Sequence, residues 1–262
     1  MSPSQQAQEP QSGARRNVQC AVIIPALNEE EAIGDVVRMI RAERIDEIIV
    51  VDNGSTDQTA KRAQEAGARV VSEPRRGYGN ACRAGVKALS SDAKIAVFLD
   101  GDGSDCPELI ARLVDPVLAG THDFAIGSRA RGHREPGSMN PQQLFAARLA
   151  GFLINVLYGI QYSDMCPFRA IRRDSLEQLR PSEATYGWNL EMQMRAAQIG
   201  LRILELPLDH RCRAGGQSKV SGTFRGTVFA GMRLVSTFIR VAWNGRTTRK
   251  EVCQKRLGHS RR

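Results

Sequence analysis

The stretch Val97–Asp105, Val-Phe-Leu-Asp-Gly-Asp-Gly-Ser-Asp, constrains this chain more than any other. An apolar run, Ile95–Leu99, ends abruptly in acid. The run has the length of a strand buried on both faces of a parallel sheet. In open α/β sheets, ligands bind beyond the carboxyl ends of the strands, so Asp100 and Asp102 stand where a ligand would arrive. Alternate residues of an extended segment point the same way, and the small Gly101 between them permits close approach. Hard oxygen ligands of this kind suit Mg²⁺ or Mn²⁺, with substrate phosphates filling further positions. An isolated D-x-D is more often a solvated acidic turn, so the rest of the chain has to decide.

Bulk properties narrow the classes. The chain has 262 residues, 42% hydrophobic and 25% charged, enough for one large core. Its formal net charge of +9 favours an anionic partner or surface without saying which. Aromatic content is only 5%, with no aromatic-interleaved basic platform, so nucleic acid is not expected. Cys20, Cys82, Cys106, Cys166, Cys212 and Cys253 include no C-x-x-C pair, which favours a reduced, cytoplasmic protein over a disulfide scaffold or a zinc site. No signal peptide is visible. The longest uncharged stretch, Leu149–Ser163, is shorter than the ~20 apolar residues a membrane span needs.

Met1–Asn17, rich in Gln, Ser, Pro and Gly, reads as a disordered tail. Strands follow at Ala21–Pro25, Ile48–Val51, Arg69–Val71, Ile95–Leu99 and Phe124–Gly127. Between them, apolar residues at helical spacing predict helices after Asn28, over Gln58–Ala66, from Gly77 through Leu89, and over Pro107–Leu118. Asn28 fits the cap of the first helix. This alternation predicts an α/β fold: a mostly parallel central sheet with helices on both faces. Beyond Arg129 the pattern changes. Ala130–Pro141 reads as a mobile loop, Gln142–Tyr158 as an amphipathic helix, Phe168–Ile171 as a strand, Thr185–Ile199 as a helix, and Leu201–Leu208 as a strand with alternating burial. A polar loop, Arg211–Gly222, leads to an amphipathic helix over Thr223–Trp243 and a basic tail, Asn244–Arg262.

Four clusters fall at successive strand ends: Pro25, Asn28 and Glu29; Asp52, Asn53 and Gly54 through Asp57; Gly77 and Gly79; Asp100 and Asp102. Together they outline a nucleotide-sized groove with a metal at its inner end. The segments Val22-Ile-Ile-Pro-Ala-Leu-Asn-Glu-Glu30, Val50-Val-Asp-Asn-Gly-Ser-Thr-Asp57 and Asp100-Gly-Asp102 resemble those of inverting family 2 glycosyltransferases, whose fold is called GT-A. The resemblance covers about residues 20–222. Arg213-Ala-Gly-Gly-Gln-Ser218-Lys219, Gly127-Ser-Arg129 and Asp164-Met-Cys-Pro-Phe-Arg169 are further similar to the dolichol- and polyprenol-phosphate sugar synthases.

The resemblance implies a nucleotide-sugar donor, a lipid-phosphate acceptor, and a role for each matched residue. Pro25, Glu29 and Asp52 would help hold the nucleoside, and Asp100 and Asp102 the metal on the donor diphosphate. Arg213, Ser218 and Lys219 would close over the phosphates, and Arg129 would meet an acceptor phosphate. Physics agrees: a departing nucleoside diphosphate gains negative charge, and a metal with Arg and Lys aimed at it is the strongest help available. Two positions depart from the pattern. Asn53 replaces the usual second acid, which leans toward a UDP- rather than a GDP-sugar because a carboxamide complements uracil. Ser104 stands where a longer polar residue is common.

Glu191 is placed where relatives carry an acidic base, with Asp164 a weaker alternative. A sugar hydroxyl acceptor would need that base; a lipid phosphate, already ionised, would leave Glu191 only positioning groups. His122, His133, His210 and His259 show no ligand spacing. In the last helix, Arg225, Arg233 and Arg240 share one face opposite an apolar arc, which fits either core packing or peripheral contact with an anionic membrane. Two other classes compete: a non-catalytic module binding anionic lipid or nucleic acid through the basic tail, and a nucleotidyltransferase. The first has no need of paired Asp100 and Asp102. The second usually carries a basic Gly-rich loop after its first strand, which Ala26-Leu-Asn-Glu29 is not. Nor is Gly77-Tyr-Gly79 a dinucleotide fingerprint, since Cys82 stands at the third glycine position.

Overall fold

The structure, a computed structural model, describes residues 19–43, 45–215 and 231–243. Its centre is a seven-stranded sheet in the order β3-β2-β1-β4-β6-β5-β7. The strands are β1 (Cys20–Ala26), β2 (Glu47–Asp52), β3 (Arg69–Ser72), β4 (Ile95–Phe98), β5 (Phe124–Ser128), β6 (Arg169–Arg172) and β7 (Ile203–Pro207). β1 and β4 are buried throughout, as expected of strands covered on both faces. The helices are α1 (Ile33–Arg41), α2 (Thr59–Glu65), α3 (Tyr78–Ala88), α4 (Ile110–Leu118), α5 (Pro141–Tyr158), α6 (Arg173–Leu179) and α7 (Trp188–Ile199), and residues 231–243 are helical (α8). A short 3₁₀ turn, Pro107–Leu109, precedes α4. The strand–helix alternation up to β5 agrees with the sequence reading to within a residue or two at most ends.

One strand reverses the sheet and thereby builds the site. β6 runs antiparallel to both neighbours, with Phe98 opposite Arg169 and Ile126 opposite Arg169. The chain leaves β5 at its carboxyl end and re-enters the sheet from that same edge. Everything between them, including Arg129, α5 and Asp164, is therefore held above the ends of β4 and β5. The buried guanidinium of Arg169 pins this return: it donates to the carbonyls of Cys166, Pro167 and Asn189 and lies over the Phe124 ring.

Several local expectations are corrected. Asn28 does not cap α1, whose N-cap position is Ala32. Instead Asn28 adopts a left-handed φ of 52°, and its Oδ1 accepts the Thr56 N–H at 2.8 Å, tying the loop after β1 to the loop after β2. Segment 130–140 is anchored rather than loose, because His210 N–H donates to the His133 carbonyl and Glu135 N–H to that of His210. α5 is well specified locally, with an Asn140–Gln143 capping box, Pro141 at its start and Gly159 closing it in the left-handed conformation. Yet it is not simply amphipathic: only Ala147, Ala150, Gly151 and Ile154 are buried, while Phe145, Leu149, Phe152 and Val156 are exposed. β7 shows no alternation of burial, and α6 had no distinct signal in the sequence.

Candidate active site

A cavity of about 1130 Å³ lies over the carboxyl ends of the central strands. Its walls include Pro25, Glu29, Asn53, Arg76, Gly77, Asp100, Asp102, Arg129, Asp164, His210 and Arg213. The candidates Pro25, Glu29, Asn53, Gly77, Asp100, Asp102, Arg129 and Arg213, far apart in sequence, are thus brought together. Asn28, Asp52, Gly54 and Gly79 build the surrounding turns without lining it, and Ser218 and Lys219 lie outside the described residues.

The acidic turn after β4 faces the cavity and is crowded. Asp102 Oδ1 accepts from the amide and hydroxyl of Ser104, at 2.9 and 2.6 Å. Its Oδ2 lies 2.7 Å from Nη1 of Arg213, whose Nη2 donates to Glu29 Oε1 at 2.6 Å. Asp100 Oδ1 is buried and has no hydrogen-bond partner among the described residues. Asp105 is buried behind the pair, and its Oδ2 accepts the Asp100 amide at 3.0 Å. Burial, then the neighbouring charges of Asp102 and Asp105, push Asp100 well above the usual carboxylate range. Burial likewise pushes Asp105 up to about 7, with Asp102 adding to it. Such a cluster holds more negative charge than its surroundings compensate. Gly101 packs tightly on the core, since a Cβ there would lie 3.1 Å from Ile33 and 3.2 Å from Ile24.

Arg129 and Asp164 form a second unit. Nε and Nη2 of Arg129 donate to the two carboxylate oxygens of Asp164 at 2.8 and 2.9 Å, and the Arg129 amide donates to the same group. Burial opposes both charges, but each holds the other ionised: Asp164 stays below its usual range and Arg129 above its own. Asp164 is therefore a poor proton acceptor.

Glu191 is not at the cavity at all. It is fully buried, and its carboxylate accepts from the amides of Ser182 and Glu183 and from Arg195, at 2.8, 2.6 and 2.9 Å. It organises the 182–183 segment and is not placed to take a proton from a substrate. Asn53 is also committed: Nδ2 donates to the carbonyls of Glu73 and Arg75, and Oδ1 accepts the Gly77 amide. With both donors used, its carboxamide shapes the turn rather than reading a base, which removes the sequence argument for uracil. Gly77 and Gly79 are explained by packing, since a Cβ on either would collide with the backbone of Ala184 or Glu183.

The residues that sequence reading missed are Arg76, Tyr78, Asp105 and His210. His210 belongs to the site because the segment after β7 pairs with residues 133–135; burial, then Arg129, lower its pKa to about 4, so it is neutral at pH 7. No spacing in the sequence announces such a contact. The same cavity is also lined by apolar side chains, those of Phe145, Leu149 and Leu153 of α5 and Leu234, Val235 and Phe238 of α8.

Residues 21–180 match the family model described as glycosyl transferase family 2. The chain is 36% identical over 219 residues to an uncharacterised glycosyltransferase of Mycobacterium tuberculosis, covering 80% of this chain and 93% of that one. It is 32% identical over 235 residues to a polyprenol monophosphomannose synthase of Mycolicibacterium smegmatis, covering 84% and 87%. Among solved structures it resembles glucosyl-3-phosphoglycerate synthase of Mycobacterium tuberculosis in complex with Mn²⁺, UDP-glucose and phosphoglyceric acid, with a TM-score of 0.69, 26% identity, and coverage of 86% and 80%. With strand-end clusters, sheet and family model in agreement, the chain belongs to glycosyltransferase family 2 and is a glycosyltransferase of GT-A fold.

Proposed function

We propose that this protein transfers a sugar, with inversion, from a nucleoside-diphosphate donor to a polyprenyl phosphate, using Mg²⁺ or Mn²⁺ held by Asp100 and Asp102. The observation that carries the reading is the mixed lining of the cavity: carboxylates and arginines together with apolar side chains of α5 and α8. A phosphate head on a long apolar tail matches both kinds of wall. The same two helices carry exposed apolar stripes, Phe145, Leu149, Phe152 and Val156 on α5 and Met232, Val235, Ile239 and Trp243 on α8. No helix among the described residues is long and apolar enough to cross a membrane, so these stripes suit contact at a lipid surface.

The residues present fit a divalent cation. Asp100 Oδ1 is buried and unpartnered, and Asp102 Oδ2 already holds a cationic group, that of Arg213. Among the described residues no group of three or more His, Cys, Asp or Glu could hold a metal, so the remaining ligands would come from donor phosphates and water. Bound there, the ion would neutralise charge on the departing diphosphate. Arg213, with Nη1 2.7 Å from Asp102 Oδ2, would supply a second positive charge. Pro25, Glu29, Arg76 and Gly77, which also line the cavity, would flank the nucleoside.

The state of the carboxylates favours an acceptor that is already anionic. Glu29 and Asp102 hold Arg213, Asp164 holds Arg129, and Glu191 is remote. A hydroxyl acceptor needs a group to take its proton; a phosphate at neutral pH does not. Arg129 would attract that phosphate, with Asp164 keeping its guanidinium charged and fixed. The second reading, a small phosphorylated acceptor, draws on the structural likeness to glucosyl-3-phosphoglycerate synthase.

The test is a matrix of labelled UDP-glucose and GDP-mannose with Mn²⁺ against decaprenyl phosphate in detergent and 3-phosphoglycerate in buffer. Label entering the organic phase is expected. Label transferred only to the soluble acceptor would establish the second reading, and no transfer or donor binding with any pair would overturn both.

A further inference from the structure

We infer that Arg240, on α8, is a positioning residue for the donor site, acting through the segment 182–184. The inner face of α8 is built into the site. Thr237 is fully buried and approaches α7 closely, because a Cβ on Gly187 would collide with its hydroxyl. Thr237 Oγ1 donates to Glu183 Oε2 at 3.0 Å, and Arg240 Nη2 donates to the same oxygen at 2.7 Å. Arg240 Nη1 reaches the Ser182 hydroxyl at 3.2 Å and Glu191 Oε1 at 3.4 Å. Arg195 approaches Glu191 Oε1 at 2.8 Å, so two guanidiniums face two buried carboxylates.

The other side of the same segment holds the turn that walls the cavity. The Ala184 carbonyl accepts the Asn80 amide at 3.0 Å, and the Ser182 carbonyl accepts from Arg83 at 3.0 Å. Gly77 and Gly79 press against the Glu183 and Ala184 backbone with no room for a Cβ. Asn80 Nδ2 in turn holds the Arg76 carbonyl at 3.0 Å. Arg76, Gly77 and Tyr78 face the cavity, as do Leu234, Val235 and Phe238 of α8. Segment 182–184 is thus clamped between α8 and the glycine turn. Buried carboxylates without their cations relax by moving toward water, so loss of Arg240 loosens the segment and the turn with it. The helix that bears the exposed apolar stripe thereby also sets donor affinity.

The inference rests on the donor reading only for its second readout. Amide hydrogen exchange of the full chain, without ligand, gives the first. Arg240→Gln is expected to speed exchange of residues 77–81 and 182–185 by about tenfold, leaving β1 and β2 unchanged. In steady-state assays with UDP-glucose or GDP-mannose and Mn²⁺, the donor KM should rise about fivefold with kcat nearly unchanged, and Arg240→Lys should recover most of it. Arg202→Gln, which loses a surface ion pair with Asp123, serves as the control that changes neither readout. Should Arg240→Gln not fold, Thr237→Val gives the same comparison at lower cost. Faster exchange confined to residues 231–243, with 77–81 as in wild type, would overturn the inference. If the wild-type chain uses no donor at all, the functional reading fails, and the exchange result still decides this one.

Discussion

Arg213 places Nη1 2.7 Å from Oδ2 of Asp102 while its Nη2 donates to Glu29. The loop carrying it is seated directly on the acidic turn: the Ala214 amide donates to the Asp102 carbonyl at 3.0 Å, and a Cβ on Gly103 would lie 3.2 Å from that of Ala214. The guanidinium therefore neutralises the carboxylate that a divalent cation would share. Arg213→Ala should tighten Mn²⁺ binding measured without nucleotide, because Asp102 loses its internal counter-charge. The same variant should lower kcat by about 10²-fold through the lost charge at the leaving group. Asp102→Ala should abolish metal-dependent turnover. Calorimetry with Mn²⁺ alone and steady-state kinetics check both; full activity in Asp102→Ala would remove its metal role.

Glu191 offers a sharp separation of structure from chemistry. Its carboxylate is buried, hydrogen-bonded to two backbone amides and paired with Arg195. Removing one charge from such a unit costs about 3–5 kcal/mol. Glu191→Gln should therefore lower the thermal midpoint strongly, yet leave the shape of the pH–rate profile unchanged below the melting range. Loss of the acidic limb, with kcat down about 10²-fold or more, would instead identify a base.

The carboxylate cluster makes stability depend on pH in a defined direction. Asp105 has its folded pKa raised to about 7 from 3.8. Between these values the folded state binds more protons than the unfolded one, so metal-free stability should fall as pH rises from about 4 to about 7. Asp105→Asn keeps the acceptor for the Asp100 amide and removes the charge. It should stabilise the metal-free protein at pH 8 by about 1 kcal/mol or more, with the gain shrinking toward pH 5. Thermal midpoints across pH 5–8.5 check this, and an equal shift at every pH would contradict it.

The exposed stripe on α5 can be tested without touching the cavity's polar residues. Phe152 is 62% exposed and Val156 65% exposed. Phe152→Asp with Val156→Asp should leave the thermal midpoint nearly unchanged. It should reduce cosedimentation with anionic vesicles by about tenfold, in line with the lost apolar insertion. Unchanged sedimentation would remove this stripe as a lipid-binding surface.

Much of the architecture was legible because strands and helices declare themselves locally. The apolar runs ending in Pro25, Asp52 and Asp100 marked strand ends, and strand ends in an α/β sheet share one edge. That is why residues over 70 positions apart could be grouped in advance. Asn53 and Glu191 show where this stops. Both are polar residues beside motif positions, and composition cannot say whether a side chain turns to the cavity or to its own backbone. Here Asn53 answers three backbone groups and Glu191 two, needs that exist only once the loops at 73–77 and 182–184 are packed.

The sequence by itself determined the strand–helix alternation up to β5, the shared edge, and the acidic turn upon it, since each depends on spacing along the chain. The tertiary structure alone decided that β6 reverses, that Asp164 meets Arg129, that His210 enters the site and that Arg240 faces Glu183. Those outcomes depend on which buried charges and backbone groups find partners across long loops. Low-dielectric surroundings make every unmatched group costly there, so only the completed packing selects the pairs.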